Sequence, residues 1–270
     1  METFVHDVKH AFRLLRQSPG FAATAISALA LGIGANTAIF SVVNTVLLKP
    51  LPFPQPDRIV LLLLGSPQGG NAIANVPKYN VWRAQTQVLE DVTAYDTGGP
   101  GVNLEGGDRP EQVKGIHVSY EFFHLFGAPV ALGRAFTADE DRPRAARVVV
   151  LGHGLWQRRF GSDPAVIGKS LSLGGEPYTI VGVIGAGFAF DPPPDLYLPF
   201  QADPNSTQQA HFFRSAARLK PGVGLQAANA ALALAAEEYK RKFPGTMGPQ
   251  QHLHRAADAE IPVYIGRLFQ

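Results

Sequence analysis

From Phe21 to Leu48 the chain runs for 28 residues without Asp, Glu, Lys, Arg, His or Pro. At about 1.5 Å rise per residue such a helix is longer than the roughly 30 Å hydrocarbon core of a bilayer, so the run predicts a transmembrane helix. A buried helix of a soluble protein rarely stays uncharged for so long. A cleaved signal sequence has an apolar part of only about 7–15 residues, and here a long polar segment precedes the run. Within it, Ala23, Ser27, Ala30, Gly34, Thr37, Ser41 and Asn44 follow alternating steps of four and three and form one stripe. Small residues let helix backbones approach, and lipid offers Asn44 no hydrogen-bond partner, so the stripe predicts a helix–helix interface. Ile26, Leu29, Ile33, Phe40, Val43 and Leu47 form a bulky face suited to lipid, with Asn36 the exception.

Ahead of the span, Phe4, Val5, Val8, Phe12 and Leu15 recur at helical spacing among Lys9, Arg13 and Arg16. Residues 1–20 therefore read as an amphipathic segment on the membrane surface, ended by Ser18-Pro19-Gly20. Behind the span, Pro50, Pro52, Pro54 and Pro56 predict a stiff, extended stalk. Ile59–Leu64 is a strand-sized apolar run, and Tyr79, Trp82 and Leu89 predict a helix over about residues 78–89. Val148–Leu151 reads as a buried strand and Leu155–Phe160 as a short helix. Leu171–Leu173, Gly174-Gly175 and Tyr178–Val183 make a hairpin signal. Asp191 to Pro194 is a loop, and Leu196–Phe200 and Phe213–Leu219 are strands. After the Pro221-Gly222 turn, Leu225, Ala228, Leu232, Ala235 and Tyr239 mark a helix that Pro244-Gly245 closes, with Lys240, Arg241 and Lys242 complementing its dipole. The fold class is α+β: one transmembrane helix (21–48) followed by a mixed α/β domain over residues 49–270. No later segment approaches about 18 uncharged apolar residues.

Charge sets the orientation and removes one class of partner. Three basic residues precede the span, whereas Lys49 and Arg58 follow it, which places the N-terminus in the cytoplasm by the positive-inside rule. Setting aside the three basic and two acidic side chains of residues 1–48 leaves 21 basic and 20 acidic ones, a balance that argues against nucleic acid. The chain has no cysteine, hence no disulfide framework or thiolate site. It also lacks G-x-x-x-x-G-K-[ST], G-x-S-x-G and H-E-x-x-H, and Gly32-Ile33-Gly34 lies inside an apolar helix with no strand before it. His252 and His254 could share a metal only on a strand and read as a solvated pair in a polar loop. Thr137 with Glu140 reads as a capping box, and His153 as a turn residue. Trp82, Trp156, Phe122, Phe123, Phe126, Phe212 and Phe213 read as packing. No catalytic residue, metal ligand or cofactor is expected.

Several stretches carry a family likeness. They are Ser18-Pro19-Gly20-Phe21, the run Leu29 to Asn44 (LALGIGANTAIFSVVN), Leu51-Pro52-Phe53-Pro54, Asp57-Arg58 and Leu132-Gly133-Arg134-Ala135-Phe136. Farther on come Val149-Val150-Leu151 through Leu155 to Phe160, Tyr178 to Val183, and Arg218-Leu219-Lys220-Pro221-Gly222-Val223. The chain resembles the N-terminal half of a MacB-type (FtsX-like) ABC transporter permease over about residues 7–235. The resemblance implies a periplasmic core of two lobes, the first about 49–100 and 205–270 and the second, inserted, about 101–204. It also implies location in the bacterial inner membrane, three further transmembrane helices, a second permease copy in a dimer, and a cytoplasmic ABC ATPase that drives efflux. A periplasmic adaptor or outer-membrane channel is a further implied partner. The likeness fades from Gln250, so the chain reads as a fragment, a truncated product or part of a split protein. The alternative function is a free-standing membrane-anchored sensor or adaptor, which needs no further spans.

Overall fold

The computed structural model describes residues 17, 19–43, 53–66, 69–96, 101–106, 111–188, 193–248 and 250–255. The surface segment before residue 17, Asn44 and the end of the span, Pro50 and Pro52, Asp191-Pro192 and the chain beyond residue 255 lie outside them.

Two compact units are present, residues 1–50 and 51–270. The first contains helix α1 (Pro19–Val43), whose stretch Pro19–Phe40 has a mean hydropathy of 1.6 and is long and apolar enough to cross a membrane. Among the described residues no other helix is. Phe21, Ile26, Leu29, Leu31, Ile33, Ile39 and Phe40 are all exposed, as a helix meeting lipid or other helices requires.

The described residues of the second unit build one sheet of 14 strands. They are β1 (Ile59–Ser66), β2 (Gly69–Asn71), β3 (Ile73–Ala74), β4 (Leu89–Asp96), β5 (Val102–Glu105), β6 (Glu111–Val113) and β7 (Gly115–Val118) in the first part of the unit. There follow β8 (Val130–Gly133), β9 (Val148–Leu151), β10 (Ser170–Leu173), β11 (Glu176–Ile184), β12 (Leu196–Pro199), β13 (Phe213–Leu219) and β14 (His252–Arg255). Their order is β14-β1-β13-β4-β7-β12-β9-β11-β10-β5-β6, with β2 on β1, β3 on β13 and β8 on β11. Pairing is antiparallel except at β7/β12 and β9/β11. Among the described residues four α-helices cover the sheet: α2 (Val76–Arg83), α3 (Phe122–Phe126), α4 (His153–Phe160) and α5 (Leu225–Lys242).

Alternating side chains of the apolar strands enter different cores. Ile59, Leu61 and Leu63 of β1 pack with Phe122, Phe123 and Phe126 of α3, while Val60 and Leu62 pack with Tyr79 and Trp82 of α2 and with Leu232 and Tyr239 of α5. In β9, Val148 and Val150 join the α3 cluster, whereas Val149 and Leu151 meet Leu155 of α4. One cluster thus runs beneath both halves of the sheet, and the opposite face carries two separate ones. A strand buried on both faces has no polar face to alternate with, which is why Ile59–Leu64 and Val148–Leu151 are unbroken apolar runs.

Most sequence-predicted elements are present; five expectations need correction. His153 is the first residue of α4 and not a turn residue, Gly152 standing at the cap position. The helix predicted over 78–89 is α2, shifted to Val76–Arg83, because Asn75 caps it by accepting from Lys78 N at 2.9 Å; Leu89 instead begins β4. Behind the span the chain is not extended throughout: Gln55 is left-handed (φ 50°) and Pro56–Arg58 forms a 3-10 turn. His252 and His254 lie on β14 and not in a loop, because Leu62 to Gly65 of β1 pair with Arg255 to His252. Phe212 is 49 % exposed and stacks on Phe200 (centroids 6.2 Å apart) outside the core. The Thr137–Glu140 box is present, Glu140 accepting from Thr137 N at 2.9 Å, although it closes a turn.

A candidate coupling site where the chain enters the domain

The first described residues behind the span are bound into the sheet by an arginine clamp. Phe53 is buried and meets Phe126 edge-on at 5.0 Å. The carbonyl of the next residue, Pro54, accepts from Arg218 Nη1 at 2.6 Å. Arg218 also donates through Nη2 to Leu125 O at 2.7 Å and through Nε to Asp91 Oδ2 at 3.3 Å. One guanidinium, its side chain 6 % exposed, therefore ties the entering segment to α3, β4 and β13.

Local irregularities place these groups. The β13–β4 register shifts between Ala216 and Arg218, and such a bulge re-aims the next side chain. Asp91 has φ 49°, which carries its carboxylate toward Arg218 and toward His124 Nδ1, 2.9 Å away. α3 ends at Gly127 in the left-handed conformation (φ 64°), and a Cβ there would come within 2.5 Å of the Pro54 ring. Only glycine lets the entering proline lie against the helix end.

Arg58 makes a second tie. It donates through Nε to Leu219 O at 2.8 Å and pairs with Glu90 Oε1 at 2.5 Å, with Gln55 as a further partner. Between the two arginines lies a cleft of about 660 Å³ lined by Pro54, Arg58, Asp91, Phe123, His124 and Arg218. It has no nucleophile beside a base; its chemistry is that of guanidinium groups bridging carbonyls and carboxylates, which fixes position. Among the described residues, no group of three or more His, Cys, Asp or Glu side chains could hold a metal ion.

Of the sequence-predicted interface residues, Ala23, Ser27, Ala30, Gly34 and Thr37 are exposed on α1, Ser41 lies in α1, and Asn44 is outside the described residues. They belong to the first unit. Sequence reading missed Arg218, Asp91 and Gly127 as functional residues. The available signal was Arg218 itself, a charge inside the strand Phe213–Leu219.

The MacB-like periplasmic core domain profile matches residues 22–235. A probable export ATP-binding/permease protein MacB of Pseudomonas entomophila is 29 % identical over 120 residues, covering 43 % of this chain and 18 % of that protein. A probable syringafactin export ATP-binding/permease protein SyfD of Pseudomonas syringae pv. tomato is 31 % identical over 110 residues, covering 39 % of this chain and 16 % of that one. The chain thus spans less than a fifth of the length of these curated relatives. Among solved structures, the periplasmic region of MacB from Actinobacillus actinomycetemcomitans has the same fold: TM-score 0.57 at 15 % identity, covering 82 % of this chain and 98 % of that one. With its apolar N-terminal helix and its mixed α/β sheet domain, the chain belongs to the MacB-like periplasmic core domain family of ABC transporter permeases.

Proposed function

We propose that this chain is the N-terminal part of a permease that couples ATP hydrolysis by a partner ABC ATPase in the cytoplasm to a movement of the periplasmic domain, and thereby to export. The observation that carries the reading is the clamp: Pro54 O is held by a buried arginine that also grips α3 and β4, so displacement of the entering segment is handed to the sheet. A tether meant only to anchor a domain needs no such grip.

On this reading α1 enters from a cytoplasmic N-terminus in the inner membrane. Its stripe from Ala23 to Asn44 packs on the remaining permease helices or a second copy, while lipid covers the bulky face. Residues 49–270 stand in the periplasm as two lobes, about 49–100 with 205–270 and about 101–204, which an adaptor or outer-membrane channel meets. ATP is bound and hydrolysed by the partner.

The absence of cysteine from the chain permits clean spin labelling at Thr37→Cys and Leu234→Cys. In membranes holding the permease with its ATPase, ATP is expected to change the label distance, and Arg218→Met to abolish that change while hydrolysis continues. An ATP-driven change that persists in Arg218→Met overturns the clamp's role. Orientation is tested separately by alkaline phosphatase fused after residue 60. Periplasmic activity is expected, and an inactive fusion overturns the topology.

A further inference from the structure

Lys78 is 1 % exposed, yet among the described residues neither it nor its neighbour His211 is paired with a carboxylate. The ammonium Nζ lies 2.7 Å from His211 Nε2 and 5.7 Å from the centroid of the Tyr239 ring. An ammonium has no acceptor atom, so this contact exists only while His211 presents an unprotonated nitrogen. Burial lowers the Lys78 amine to about 8, and burial together with the Lys78 charge holds His211 below its ordinary value.

His211 stands on residues 202–212, the irregular segment between β12 and β13, which is pinned at its ends by buried Ala202 and by Phe212 N donating to Ala74 O at 3.1 Å and between them lies across α2 and α5 on polar contacts. Asn75 Nδ2 and Tyr239 Oη donate to Gln209 Oε1 at 2.8 and 2.6 Å, and Asn80 Nδ2 donates to Asp203 O at 3.0 Å. Other charged groups on these elements have partners or positions of their own. Arg83, Glu238 and Lys242 line a cleft together with Pro77, Pro204 and Tyr239, but none of the three is paired with Lys78 or His211; Glu237 pairs with Lys240, the Asp203 carboxylate accepts from Asn205 N, and Arg214 acts on Tyr95 on the opposite face of β13. Among the described residues no carboxylate is within ion-pair distance of Lys78 or His211 to neutralise a second positive charge.

We infer that Lys78 and His211 form a proton-operated latch: protonation of His211 sets two cations in contact and releases the stretch between Ala202 and Phe212 from α2 and α5. This concerns a regulatory property and does not rest on coupling to an ATPase, so either reading can fail alone. The sign follows from linkage. Because the folded state holds His211 below its ordinary value, the contribution of His211 to attachment is complete above about pH 6.5 and weakens as pH falls below it.

Hydrogen exchange of the full chain in detergent, normalised to intrinsic rates, reads the latch at pH 7.5 and 5.5. The stretch between Ala202 and Phe212 is expected to lose protection on acidification, up to about tenfold for each pH unit through which His211 is held down. Peptides of β9 and β11 are expected to stay protected. His211→Gln, which offers Lys78 a non-titrating acceptor, removes the response, and Lys78→Met, which deletes the opposing charge, diminishes it. Equal protection of the native segment at both pH values overturns the inference, as does loss of protection throughout the domain. An undiminished response in either variant does the same.

Discussion

At the scale of single residues the decisive group is Arg218. Its guanidinium donates to Pro54 O and to Leu125 O and faces Asp91. Arg218→Met keeps the apolar stem and removes the donors. Two carbonyls are then left unpaired beside a carboxylate that is 20 % exposed. Each unpaired buried acceptor costs about 1–3 kcal/mol, and water reaching Asp91 softens the remainder, so a loss of about 3 kcal/mol is expected. Urea unfolding of the full chain in detergent measures it, and a variant within about 0.5 kcal/mol of the native protein sinks the clamp as a structural tie. The sequence showed Arg218 as a charge in an apolar strand, but its role depends on the bulge at residues 216–218 and on the left-handed Gly127. Neither leaves a trace in a hydrophobic pattern.

Among whole elements, legibility followed the number of buried faces. β1, β9 and β13 were readable because both faces are covered, and α5 because Ala228, Leu232, Ala235, Ala236 and Tyr239 repeat at helical spacing on its one buried face. The helix near residue 80 was misplaced because Leu89, a core residue of β4, falls by chance in phase with Tyr79 and Trp82. β2, β3, β6 and β8 are two to four residues long, too short to show a period, and they take their place from the strands they pair with. The double-sided burial can be measured. Leu62 of β1 is 0 % exposed beneath α2 and α5, so Leu62→Ala is expected to lose about 2–5 kcal/mol. Leu234 on the outer side of α5 is 74 % exposed, and Leu234→Ala is expected to change stability by less than about 0.5 kcal/mol. Equal losses from the two substitutions would mean that α5 presents its other face to the sheet.

For the domain as a whole, the question is whether two cores on one face and a shared one on the other unfold together. Tyr197 of β12 and Val150 of β9 belong to the same cluster as Leu61 of β1 and Phe122 of α3, so neither half of the sheet can open without exposing the aromatic side chains that hold the other. Phe122 alone meets Tyr95, Phe126, Phe188 and Tyr197 at ring separations of 5.0–6.1 Å. Residues 53–255 are therefore expected to unfold in one transition. The two tryptophans provide local probes: Trp82 lies in the cluster under α2 and α5, and Trp156 packs on the cluster beside α4. In Trp156→Phe the fluorescence of Trp82 reports the first region, and in Trp82→Phe that of Trp156 reports the second. Within each variant the fluorescence midpoint in urea is expected to coincide with the midpoint by far-ultraviolet circular dichroism, since coincident probes mark a two-state transition. If the Trp156 signal melts before the bulk of the secondary structure while the Trp82 signal does not, the halves are independent. A pull on Pro54 would then stop at β4 instead of spreading across the sheet.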